Sequence, residues 1–155
     1  MRTGWDRYKE YGITLLRVAL GVYYLLHAYC GWAVFGVENL ARLNANMGVP
    51  FPGLSAWAVV LGHLAGGALL ALGFYARLGA LFNIPIMAGA VFLVHFKQGF
   101  FMTWIVVDAA RGRAIAGGYE YSLFLLIATV AVLFLGSGPL VLRFPSRRPA
   151  PISLD

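Results

Sequence analysis

Four long apolar stretches run through this chain: Ile13–Phe35, Leu54–Phe74, Leu78–His95 and Tyr121–Leu142. Each approaches the ~20 residues that carry an α-helix across a ~30 Å hydrocarbon core. Lipid offers no water to a bare peptide group, and a helix satisfies its own amides. The runs therefore predict an all-α fold: a bundle of four transmembrane helices in one membrane domain over residues 1–155, with an unstructured basic tail at 143–155. Only 12% of residues are charged, about half the usual share. Too little polar surface is available to clothe a soluble globule of 155 residues.

The net charge of +6 is distributed by side rather than gathered in a patch. Arg2, Arg7, Lys9, Arg17, Arg77, Arg143, Arg147 and Arg148 fall on one side of the alternating spans; Arg42, Lys97, Arg111 and Arg113 fall on the other. Eight against four predicts both termini in the cytoplasm, with the chain multi-pass in the plasma (inner) membrane. Basic residues that flank spans argue against nucleic-acid binding. The first span is too long for a signal-peptide core, and HAYCG at its end lacks a small-residue cleavage site. Cys30 is the single cysteine, so an internal disulfide or CxxC redox pair is excluded.

Between the spans, Leu40, Leu43 and Met47 have helical spacing, which predicts a short amphipathic helix over Glu38–Met47 on the outer surface. Tyr75-Ala76-Arg77 is a tight link, so spans two and three form an antiparallel hairpin. Pro85 removes a backbone donor from span three and is expected to kink it; Asn83 can bond the freed carbonyls or a neighbouring helix. Within the long connection 96–119, the FFMTWIVV core is too apolar for a plain hydrated loop and too short to span, so it is expected to lie in the interface or fold back over the outer mouth.

Polar residues inside the spans carry the functional reading. At ~1.5 Å of rise per residue, His63 lies about 13 Å and His27 about 12 Å below the outer face, on adjacent spans. Tyr23 and Cys30 sit one turn either side of His27. Gly62 and Gly66 flank His63 and either admit a neighbouring helix or leave room for a ligand. An imidazole in lipid needs a partner, and three remain open for this pair. They are a structural hydrogen bond, a quinone headgroup handled by His27, His63 and Tyr23 with Gly66 beside it, or bis-histidine haem or another metal. No HxxxH pair or acidic cluster strengthens the metal option. His95, Glu120 and Tyr121 mark a polar outer mouth suited to proton access or docking. Arg17, four residues into its span, is read as snorkelling to the interface, and Arg77 as capping the hairpin; both are structural charges.

LLRVALG at 15–21, His27, GVPFP at 48–52, the GG-LL-LGFYAR pattern over 66–77, VHFKQGFF at 94–101 and GGYEYSLFLL at 117–126 follow one another in an order that resembles the DoxX family. By that resemblance, His27, Arg17, Arg77, His95, Glu120 and Tyr121 occupy family-typical polar positions. The resemblance implies a small four-helix membrane protein of the kind found as a membrane subunit associated with thiosulfate:quinone oxidoreductase, or in thiol-redox membrane complexes. Where relatives often carry a glutamate before the GG pair, this chain has His63, which changes the proton chemistry available there. Two functions follow as expectations. One is a redox-complex subunit that meets quinone and works with a partner oxidoreductase subunit or further copies of itself. The other is a non-catalytic anchor or scaffold whose partner surface is the outer loops. A small transporter has less support, since the sequence holds no pair of broken helices and no charged pathway.

Overall fold

The computed structural model describes residues 8–103, 105–108 and 113–142. Arg2, Arg7, Arg111 and the basic tail from 143 onward lie outside them.

Helix α1 covers Lys9–Tyr29, and a π-helical turn at Cys30–Val34 continues it. Its buried positions Thr14, Arg17, Gly21, Tyr24 and Ala28 recur every three or four residues, the spacing of one helical face. Gly36, at φ +80°, stops the run, and Asn39 Nδ2 donates to the Phe35 carbonyl (2.9 Å) where the helix leaves it open. Helix α2, Val37–Asn46, is the expected amphipathic segment. It lies against α3 (Pro52–Leu72), where the buried Asn44 donates from Nδ2 to Ser55 Oγ (2.9 Å). Proline at the first position of α3 suits a place where no amide partner is needed.

Gly73 (φ +76°) closes α3, and the expected hairpin leads into α4, Ala76–Gly89. Pro85 does not break α4, which runs through it and continues as a second π-helical turn, Ala90–His95, and a short 3-10 turn, Phe96–Gln98. The connection that follows folds back on itself. Strands β1 (Ile105–Asp108) and β2 (Arg113–Ala116) pair antiparallel with Ile105 opposite Ala116. Below them, the Tyr119 and Glu120 amides donate to the Gly99 and Phe100 carbonyls (3.0 and 2.9 Å), which tie the loop's two ends together.

Helix α5 is Glu120–Leu135. The apolar run from Tyr121 to Leu142 predicts a longer helix, but Gly136 and Gly138 both adopt positive φ (84° and 69°) and Pro139 follows them. The backbone from 136 to 142 instead leaves the helix and lies across the end of α3, with the Leu142 amide donating to the Leu72 carbonyl (3.2 Å). Among the described residues, three helical segments are long and apolar enough to cross a membrane: Lys9–Val34, Pro52–Leu72 and Ala76–Gln98; α5, at 16 residues, is shorter.

α1 packs mainly on α3, α3 on α4 and α4 on α5, while α5 meets α1 over a shorter stretch. Leu20, Tyr24, Leu70, Ala80, Met87, Leu125 and Val132 fill the space between them. Since lipid tails are as apolar as leucine, close packing rather than water exclusion holds such helices together. The glycines serve that end. A Cβ on Gly67 would stand 2.9 Å from the Gly21 carbonyl oxygen, and one on Gly79 would stand 2.7 Å from that of Gly66. Tyr8, Leu15, Leu26, Leu61, Phe82, Phe124 and Phe134 project outward all round.

Arg17 corrects the snorkelling expectation. It is 1% exposed, and among the described residues its four hydrogen bonds all end on backbone carbonyls. Nη1 donates to Leu70 (2.6 Å) and Ala71 (2.9 Å) at the C-terminus of α3, while Nε and Nη2 donate to Ser137 and Leu140 in the segment after α5. The guanidinium lies 2.6 Å from where a Cβ on Gly73 would stand. A cation at a helix C-terminus meets the negative end of the dipole, so the arginine stays buried because other elements bring carbonyls to it. Arg77 is exposed and donates from Nη2 to Phe134 (3.4 Å) near the end of α5.

Candidate functional site

His63 lies one residue past the midpoint of α3 and is 3% exposed. Its Nδ1 meets Asn83 Oδ1 of α4 at 2.6 Å, and Asn83 Nδ2 donates to Gly79 O at 2.9 Å. The second bond fixes the amide: turned over, Asn83 would set its oxygen against a carbonyl oxygen. Asn83 Oδ1 is therefore the acceptor and His63 Nδ1 carries the proton. Nε2 is then the unprotonated nitrogen. Asn83 thus joins the neighbouring helix, as the sequence allowed, rather than the carbonyl freed by Pro85.

Tyr24 of α1 stacks on His63 with ring centroids 4.8 Å apart and planes 22° apart. Its hydroxyl donates to Thr129 Oγ1 of α5 (2.6 Å), because the threonine proton is directed to the Leu125 carbonyl (2.7 Å). One polar chain so links α1, α3, α4 and α5 near mid-depth.

His27 comes to this chain from the exposed side of α1. Its ring stands 5.6 Å from that of His63, edge to face, and 5.6 Å from Tyr23, stacked at 26°. Tyr23 in turn meets Tyr121 edge-on at 5.6 Å. His95, at the end of the second π-helical turn, is near enough to His27 for the two imidazoles to interact electrostatically. His27, His63, Tyr23, Tyr121 and His95 thus belong to one neighbourhood, with the equal depth of the two inner histidines realised as ring contact.

Two other residues singled out in the sequence take structural places. Gly66 faces α4, and the space beside it is filled by Asn83 and the Gly79 carbonyl, so it serves helix contact. Glu120 Oε1 accepts from the Met102 amide (2.9 Å) and holds the start of the long loop. Tyr24 and Thr129 were not singled out in the sequence. The signal for Tyr24 was its place in the stripe of Arg17, Gly21 and Ala28. Among the described residues, no three His, Cys, Asp or Glu side chains are arranged to hold a metal ion.

Long apolar helices, polar groups turned inward and a buried arginine held by backbone carbonyls define an integral membrane protein. The DoxX family model matches residues 12–96, more than half of the 155, and the chain belongs to the DoxX family. The matched stretch takes in α1 to α4 with both inner histidines; GGYEYSLFLL and α5 lie beyond it. No curated protein and no solved structure matches the chain in the other two comparisons.

Proposed function

We propose that this protein is a multi-pass plasma-membrane subunit of a redox complex and that it holds a quinone headgroup at the face formed by Tyr23, His27, His63 and Tyr121. The observation that carries the reading is the contact between two imidazoles inside a membrane domain, one exposed and one buried, bordered by tyrosine rings. A flat headgroup fits an aromatic-edged face of this kind, and a lipid-soluble ligand reaches it from the bilayer. A quinone, when bound, supplies two-electron, two-proton redox chemistry. His27, the exposed imidazole, contacts the headgroup and exchanges a proton at a ring nitrogen. Tyr23 and Tyr121 orient the ring, and His95 carries protons toward the outer surface.

Haem fits less well. A porphyrin between His27 and His63 needs a slot between α1 and α3, but these helices touch through the backbone at Gly21 and Gly67, and Tyr24 covers one face of His63.

Four crossings with both termini in the cytoplasm complete the reading. Arg17 and Arg77 lie at the same end as the close of α3 and α5, which agrees with the positive-inside rule. The apolar segment 136–142 extends the short α5 toward that surface. A photoactivatable azidoquinone in native membranes tests the site: label on the peptides around Tyr23–His27 and Tyr121 supports it, and label confined to the outward faces of α4 contradicts it.

One observation favours the anchor reading. α2 lies on α3 and touches β2, so the loops form a structured cap over one end. As a partner platform, that cap predicts that exchanging residues 36–53 and 96–119 abolishes partner binding while the histidine variants keep it.

A further inference from the structure

The bond from His63 to Asn83 also determines what the site can recognise. Imidazole nitrogens point in nearly opposite directions in the ring plane. With Nδ1–H committed to α4, the Nε2 lone pair faces away from α4, toward the side where α1 brings His27. Among the described residues the hydrogen bond of His63 is the one to Asn83, which leaves Nε2 as an acceptor that the protein gives no donor. Tyr24 cannot supply the missing proton: its ring lies flat on the imidazole face and its hydroxyl donates to Thr129. A ligand that brings a hydroxyl matches such an acceptor, and one that brings only acceptors does not.

We propose that the site prefers a ligand that donates a hydrogen bond from its own hydroxyl to His63 Nε2, which is to say a hydroquinone over the corresponding quinone. This rests on the quinone-site reading above and adds a direction to it. A quinone presents carbonyl oxygens, which against an acceptor nitrogen place lone pair on lone pair. The reduced form presents O–H groups of the same outline. Asn83 is then a positioning residue: it touches no ligand and sets which nitrogen of His63 bears the proton.

The test is equilibrium binding to the full-length protein in nanodiscs of quinone-free lipid, without oxygen. Three probes are compared: a decyl-substituted benzoquinone, its chemically reduced hydroquinone, and the dimethyl ether of that hydroquinone, which has the reduced outline but no donor. The hydroquinone is expected to bind about tenfold more tightly than the other two, in keeping with one charge-neutral hydrogen bond gained. In His63→Leu the three affinities converge. In Asn83→Leu the imidazole is free to carry its proton at Nε2, so the preference falls or reverses while binding persists. Should Asn83→Leu fail to fold, the three-probe comparison on wild type and His63→Leu decides alone. Equal or tighter binding of the quinone by the wild type overturns the preference but leaves the quinone site standing, and so does an ether that binds as tightly as the hydroquinone. Binding of none of the three overturns both.

Discussion

Arg17 shows how far one residue's surroundings can depart from its place in the chain. Four positions inside a span, an arginine is ordinarily close enough to the interface to reach water with its long stem. Here the carbonyls of Leu70, Ala71, Ser137 and Leu140 surround it, and none of these is near it in sequence. Arg17→Leu strands those carbonyls and is expected to lower stability by about 3 kcal/mol, seen as an earlier thermal transition in mild detergent. Arg17→Lys recovers only part, since an ammonium lacks the planar fork. An unchanged transition in Arg17→Leu would remove the clamp from the account. The histidines were easier to read. Their depths follow from span boundaries and helical rise; the 5.6 Å between their rings depends on how α1 packs on α3, which depth alone does not give. The partner of His63 was only partly legible: Asn83 stood out as a polar residue in a span, but its alignment with His63 depends on how α3 and α4 close at the Gly73 hairpin.

At the level of elements, apolar run length located the helices to within a few residues at most ends. It failed at the end of α5, where Gly136-Ser137-Gly138-Pro139 interrupts an otherwise apolar run. Hydropathy does not register backbone conformation, whereas positive φ at both glycines does end a helix. Nor did it signal the two π-helical turns, which lie just beyond His27 and up to His95; such turns often mark functional segments. The glycines of α1 and α3 make a graded test. Gly21→Ala would place a methyl 2.7 Å from the Gly67 carbonyl oxygen and 2.8 Å from the Ala71 Cα, neither of which yields easily. It is expected to cost about 1–3 kcal/mol. Gly12→Ala and Gly89→Ala, with nothing within 4 Å, are expected to leave the melting transition in place. Equal behaviour of all three would mean that α1 and α3 do not approach through Gly21. Glu120 separates charge from hydrogen bonding at the loop. Glu120→Gln keeps an acceptor for the Met102 amide and should keep the loop protected from hydrogen exchange, whereas Glu120→Ala should speed exchange near Met102.

For the whole molecule, the arrangement joins a basic end built on Arg17 and Arg77 to an opposite end covered by α2 and the β-hairpin, with the histidine pair between them. Orientation can be read with Cys30→Ser as background. A cysteine at exposed Asn46 should react with an impermeant maleimide from outside intact cells, and one at the tight turn, Tyr75→Cys, should react only after lysis. The reverse pattern would invert the topology.

The central claim is that the paired histidines hold a quinone, and co-purification tests it most directly. The protein is isolated in mild detergent, its visible spectrum recorded, and the sample extracted for quinone beside His27→Ala and His63→Ala variants that elute as single, helical species. The account expects a colourless wild-type sample carrying quinone, with that quinone lost from both variants. Quinone retained in both variants, or absent from all three samples, contradicts the claim and leaves the outer cap as the working surface of the protein.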